Sequence, residues 1–279
     1  MPTLIDFHTH FFPDGVFTAI CRWFKEVDWP VLHQQSIEER ITHLKAQGVS
    51  QVVSLHYPHK AGMAETLNRF AFDLAQKHPD FIIPFGSLHP DDKNKTGILK
   101  QCFGEFGFKG IKIHSHVQKV ASDDSRMDEI YQVCSQYKKI VLIHCGTGPH
   151  FKDKPGRGYG YDVATVTGVT RFEAAIKRFP DIKFVVPHLG YEEIREFFSL
   201  LDKYPNLYLD TSMALAGHFP AEIKREWFIK YVDRLLFGTD FPVIPHEWKR
   251  EKEILLGFKL GEKVERKIFY ENARQLLQL

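Results

Sequence analysis

Several features that would assign this chain a role are missing from it. No run of about 18 apolar residues occurs, which excludes a membrane-spanning helix. No CxxC pair occurs either: Cys21, Cys102, Cys134 and Cys145 are dispersed, so the expectation is reduced thiols in a cytoplasmic protein and not a disulfide scaffold. Met1-Pro2-Thr3 leads straight into an apolar stretch without a basic segment or apolar leader, so export is not expected. Neither charge is in excess, since 37 basic and 35 acidic residues leave a formal +2, which disfavours nucleic acid and an anionic membrane surface as partners. There is no glycine-rich phosphate fingerprint after the first strand, as a dinucleotide-binding doubly wound sheet would normally show. No repeat beyond strand and helix alternation and no low-complexity linker appears, so residues 1–279 are read as one domain.

What the chain does have is length, apolar content and histidine. At 279 residues and 43% hydrophobic it can bury a large core, and its fifteen histidines are many for that length. Short apolar strands are predicted at Leu4–His10, Gln51–His56, Phe81–Phe85, Gly110–His114, Ile140–His144, Ile182–Val186, Leu207–Asp210 and Leu235–Asp240. Helical segments lie between them. Ser36 with Glu39 three residues on, for example, opens a helix that ends at Gly48. Eight such alternations imply right-handed parallel units and fit an α/β fold of the (β/α)8 TIM-barrel type.

In such a barrel the reactive groups sit at the C-terminal ends of the strands. His8 and His10, His56, His89, His114 and His116, His144, His188, Asp210 and Asp240 all close predicted strands, so imidazoles and carboxylates converge on one rim. A lone strand-end histidine is more often a satisfied structural residue, but convergence on one rim favours a metal site. In Leu4-Ile5-Asp6-Phe7-His8-Thr9-His10 the polar and apolar positions alternate. This predicts Asp6, His8 and His10 on one face, with two imidazoles able to grip one ion.

The segments Ile5-Asp6-Phe7-His8-Thr9-His10, Val141-Leu142-Ile143-His144, Val185-Val186-Pro187-His188-Leu189-Gly190 and Leu236-Phe237-Gly238-Thr239-Asp240-Phe241-Pro242 close the first, fifth, sixth and eighth strands. In that order they resemble the amidohydrolase superfamily, and within it the amidohydrolase-related branch of metal-dependent TIM-barrel hydrolases and decarboxylases. Tyr270-Glu271-Asn272-Ala273-Arg274-Gln275-Leu276 is similar to that branch's closing helix. The resemblance implies one divalent metal per chain, Zn²⁺ by expectation, held by His8, His10, His144 and Asp240 with a position left for water. It further implies that Asp240 orients the water and takes its proton, and that His188 polarises the substrate or assists proton transfer.

Lys112 shares parity with His114, so it points into the barrel, where an unpaired ammonium is costly. In binuclear members of the superfamily a fourth-strand lysine is carboxylated and bridges two ions, which would recruit Lys112, His144 and His188. The branch resembled here normally uses one ion, so Lys112 and His114 are instead candidate substrate contacts. Asp6 is a candidate partner for Lys112. The long loop from Gly146 to Asp162 carries Lys152, Lys154 and Arg157 among glycines, and Arg157 or a neighbouring lysine is a candidate contact for an anionic group. Phe11, Phe12, Trp29 and Trp248 are candidate walls of a pocket for a flat substrate.

The expected activity is metal-dependent hydrolysis, with activated water attacking a carbonyl of a small-molecule amide, ester or lactone. The alternative within the same resemblance is non-oxidative decarboxylation of an unsaturated or aromatic acid. A barrel that binds metal without turnover is the third reading. A homo-oligomer is left open.

Overall fold

The computed structural model describes residues 4–148, 158–218 and 222–279. Eight parallel strands form the scaffold: β1 (Leu4–His10), β2 (Val49–Leu55), β3 (Ile82–Pro84), β4 (Gly110–His114), β5 (Ile140–His144), β6 (Lys183–Val186), β7 (Leu207–Asp210) and β8 (Leu235–Leu236). β1, β2 and β3 pair in that order, as do β4 to β8. Two seams close the ring. At one, the Gly86 amide donates to the Gly110 carbonyl at 2.9 Å and the Lys112 amide to the Gly86 carbonyl at 2.8 Å. At the other, the Phe7 amide donates to the Phe237 carbonyl at 2.8 Å and the Asp240 amide to the His8 carbonyl at 2.8 Å. A closed ring leaves no sheet edge exposed, and the (β/α)8 expectation is met.

The surrounding helices are α1 (Asp14–Glu26), α2 (Ile37–Ala46), α3 (Ala64–Lys77), α4 (Lys95–Lys100), α5 (Ser115–Gln118), α6 (Asp128–Gln136), α7 (Val169–Arg178), α8 (Ile194–Lys203), α9 (Arg225–Lys230), α10 (Lys249–Gly257), α11 (Glu262–Arg266) and α12 (Asn272–Leu277). α2 starts at the expected capping box: the Ser36 hydroxyl accepts from the Glu39 amide while the Glu39 carboxylate accepts from the Ser36 amide. Among the described residues no helix is long and apolar enough to cross a membrane. One apolar layer lies between strands and helices, with Val52, Ile111, Ile143, Phe184 and Leu209 from the strands against Leu44, Leu99, Ile130, Phe172 and Phe197. A second fills the barrel below the rim with Ile5, Phe7, Val53, Leu55, Phe85, Leu142 and Val185, closed by Ala273 and Leu277 of α12.

The expected alternation along β1 is broken. Asp6 pairs with Val52 but Thr9 pairs with Ser54, so β1 spends one more residue than β2 over this span. This is a β-bulge, which changes which face a side chain takes. Ile5 and Phe7 consequently join the inner layer, while Asp6 turns to the outer one and accepts from Trp248 Nε1 at 2.8 Å and Thr239 Oγ1 at 2.6 Å. Beyond the bulge His8 and His10 come to the rim. Asp6 therefore makes no pair with Lys112, contrary to the parity argument, and Trp248 serves Asp6 and lines no part of the rim cavity.

Candidate metal centre

His8 and His10 are fixed from behind. His8 Nδ1 lies 2.9 Å from Asp210 Oδ2 at the end of β7, and His10 Nδ1 lies 3.0 Å from the Leu55 carbonyl at the end of β2. A carbonyl can only accept, so the proton of His10 sits on Nδ1 and its Nε2 carries a lone pair. The same tautomer follows for His8 from the Asp210 carboxylate. Both Nε2 atoms face one oxygen: Asp240 Oδ1 is 3.2 Å from His8 Nε2 and 2.9 Å from His10 Nε2. Lone pairs aimed at a carboxylate repel unless a proton or a cation lies between them. Burial, then the nearby Lys112 charge, holds the His8 pKa well below its ordinary value. The donor set, a carboxylate and two imidazoles whose second nitrogens are hydrogen-bonded outward, fits a divalent ion. His8, His10 and Asp240 form one of the two groups of three ligating side chains among the described residues.

The second group is His114, His116 and His144. It is less suited to a shared ion. The His114 and His144 rings are stacked, 4.2 Å apart and 12° from parallel, so their in-plane lone pairs run side by side. His144 is tied to the first group through His188, whose Nε2 is 3.2 Å from His144 Nδ1. His188 Nδ1 donates to the Ser212 carbonyl at 2.8 Å, which leaves its Nε2 to accept from His144. That in turn leaves the lone pair of His144 on Nε2, which lies 3.5 Å from the Gly148 carbonyl. Burial and the neighbouring histidines hold the His144 pKa well below its ordinary value.

Asp210 and Ser212 complete the frame; the sequence puts Asp210 at a strand end without a role for it and carries no signal for Ser212. Besides His8, Asp210 accepts through Oδ1 from the His188 amide at 3.2 Å and the Ser212 amide at 3.0 Å. Ser212 Oγ also bonds Asp210 Oδ1 and lies 2.9 Å from His188 Nδ1. A carboxylate at the end of β7 was visible in the sequence; which histidine it would meet was not.

His188 and Asp240 both sit at positive φ, 59° and 72°. Non-glycine residues hold that conformation at a cost, and it aims both side chains over the ring of strands. Gly238 just before Asp240 has no room for more, because an added Cβ would stand 2.8 Å from His8 Cβ. Lys112 points into the same space with Nζ 3.4 Å from His8 Nε2. Burial brings its pKa down to about 8 against the pull of Asp240 and Asp210.

These groups surround a cavity of about 40 Å³ walled by Phe24, Trp29, Tyr57, Tyr159, Tyr191 and Met213, with His10, Lys112, His114, His144, His188 and Asp240 on its polar side. Of the aromatic walls anticipated, Trp29 lines it and Phe12 stacks behind His10 at 5.8 Å, while Phe11 belongs to the outer core. Neither His56 nor His89 lines the cavity: His56 bonds Asn68 Oδ1 at 2.9 Å, and His89 caps a turn with Asp91 and Asp92. Arg157, Lys152 and Lys154 lie outside the described residues.

No curated protein matches the chain. Among solved structures it resembles a TIM-barrel protein of Bordetella bronchiseptica, at 21% identity and a TM-score of 0.75, covering 99% of this chain and 98% of that one. It also resembles 5-carboxyvanillate decarboxylase of Sphingomonas paucimobilis, at 16% identity and a TM-score of 0.74, over 100% of both chains. A third is dihydroxybenzoic acid decarboxylase of Polaromonas, solved with manganese and the inhibitor 2-nitroresorcinol, at 18% identity and a TM-score of 0.74, over 100% and 98%. At these identities the likeness establishes the TIM-barrel fold. The sequence profile of the amidohydrolase family matches residues 5–279, and the chain belongs to that family.

Proposed function

We propose that this protein is a metal-dependent decarboxylase of a small aromatic or unsaturated carboxylic acid, with His8, His10, Asp240 and His144 as ligands of one divalent ion. The observation that carries the metal reading is the pair of lone-pair nitrogens, His8 Nε2 and His10 Nε2, turned on Asp240 Oδ1 at 3.2 and 2.9 Å. The reaction class draws support from the decarboxylases among the structural neighbours and from the walls of the cavity. Aromatic side chains exclude water, which favours loss of a carboxylate charge as CO₂. Hydrolysis, the first expectation, draws on the family assignment alone.

When bound, the ion would supply Lewis-acid polarisation of the substrate's oxygens. The chain's own groups do the rest. Lys112 offers an ammonium to the anionic end of the acid, and His114 lines the same side. The carbon–carbon bond to the carboxylate breaks, its electron pair stays on the ring carbon, and a proton takes the place of CO₂. Asp240 and His188 are the groups that hold and pass that proton. Asp240 faces the cavity, and His188 is aligned by its bond to the Ser212 carbonyl.

The test is incubation of Mn²⁺- or Zn²⁺-loaded protein in D₂O with a panel of hydroxybenzoates and, separately, of esters and lactones in H₂¹⁸O. The reading expects CO₂ release with deuterium on the ring carbon. ¹⁸O appearing in a product acid without CO₂ would establish hydrolysis instead.

A further inference from the structure

Tyr57 follows β2 after His56, and Pro58 behind it confines its backbone to the extended region. Its ring is wedged among three others: His114 at 4.7 Å and 61°, Phe12 at 5.5 Å and 85°, and His10 at 5.7 Å and 89°. A tyrosine has two side-chain torsions, and contacts on this scale hold both before any ligand arrives. The ring therefore spans from β1, whose His10 is a proposed metal ligand, to β4, which carries Lys112 and His114. Among the described residues that line the catalytic cavity, Tyr57 alone comes from the end of β2 and none comes from the end of β3. On that side the wall is this phenol.

The hydroxyl is the part that the fold leaves unused. Among the described residues it makes no hydrogen bond, whereas the Tyr161 hydroxyl donates to the His116 carbonyl at 2.6 Å. Burial, then the charge of Asp240, raises the Tyr57 pKa, so the phenol keeps its proton at neutral pH. A donor in a cavity wall with no acceptor from its own chain is suited to an acceptor that arrives with the ligand. An acid brings such acceptors, since a carboxylate has about four lone-pair sites. Of the polar side chains around the cavity, Asp240 repels an anion, and His10, His144 and His188 are committed to the ion or the proton. Lys112, His114 and Tyr57 remain.

We infer that Tyr57 is a specificity-determining residue, whose hydroxyl donates a hydrogen bond to the substrate's carboxylate alongside the Lys112 ammonium. The inference rests on the reading of this cavity as the site of an organic acid. The bond is made to the group that departs as CO₂, so it serves binding of the acid and is given up as the reaction proceeds. The neutral product makes no such bond and is held less tightly.

The test compares the metal-loaded parent with Tyr57→Phe, which keeps the ring contacts and removes only the hydroxyl. With no hydrogen bond to lose in the free protein, the variant should melt with the parent and hold the same amount of metal. In calorimetric titration benzoate should bind the variant about tenfold or more weakly, as expected for loss of a hydrogen bond to a charged group. Nitrobenzene has the same shape without the charge and should bind both proteins alike. For an acid that turns over, KM should rise by a similar factor with little change in kcat. The titrations need no turnover, so a parent that binds benzoate but releases CO₂ from no acid overturns the decarboxylase reading and leaves the role of Tyr57 standing. That role is overturned if the parent does not bind benzoate, if Tyr57→Phe binds it as tightly, or if nitrobenzene is weakened by the same factor. A lower melting temperature or lost metal in Tyr57→Phe would make the hydroxyl a structural group and overturn it as well.

Discussion

Asp210 Oδ2 stands 2.9 Å from His8 Nδ1 and so decides which nitrogen of that imidazole faces Asp240. Through its other oxygen Asp210 also holds the His188 backbone at 3.2 Å, so one carboxylate aligns a proposed ligand and a proposed proton carrier. Asp210→Asn removes the acceptor that fixes the His8 tautomer. Metal affinity is expected to fall by about 10- to 100-fold, read by competition with a chromogenic chelator. An unchanged affinity would show that His8 is held by other means.

Asp240→Asn keeps the shape of the side chain and removes its charge. Turnover is expected to drop by about 10²- to 10⁴-fold at saturating metal, measured as the initial rate on whichever acid the panel identifies. Elemental analysis of the parent should give one ion per chain, and two would favour a bridged site that uses Lys112.

Lys112 gives the activity a basic limb. Its folded pKa is about 8 against an ordinary 10.5, so it is charged below about pH 8 and neutral above. KM for an anionic substrate should therefore rise as pH climbs through that value, and a bound cation would move the limb lower. Lys112→Met should raise KM at neutral pH and flatten the profile. For stability the sign is opposite: between about pH 8 and 10.5 the unfolded chain holds a proton that the folded one has released, so stability rises with pH there. Replacement of Lys112 by Met should remove that rise from chemical denaturation curves.

Gly238→Ala should destabilise the fold by about 1–3 kcal/mol, because the new Cβ would stand 2.8 Å from His8 Cβ with neither strand free to yield. Denaturation with urea would measure it, and metal affinity should fall in parallel. At Gly15, where nothing lies within 4 Å of an added Cβ, alanine meets no such contact and serves as the control.

The linear sequence determined the repeating unit and the address of the chemistry. Apolar runs of strand length separated by helices leave a closed parallel ring as the way to bury both faces, and the polar residues that end those runs must then meet at one rim. His8, His10, Lys112, His114, His144, His188 and Asp240 were all legible in this way because each closes a strand or shares its parity. The tertiary structure decided what local period could not carry. The bulge in β1 sends Asp6 to Trp248 and Thr239, since one extra residue against β2 resets which face each side chain takes. It also decided which acceptor stands behind each imidazole. Asp210, Leu55 and Ser212 are distant in sequence from His8, His10 and His188, yet they fix which nitrogen of each ring keeps its lone pair. A ring's tautomer depends on a neighbour brought up by folding, and with it the chemistry open to His8, His10 and His188.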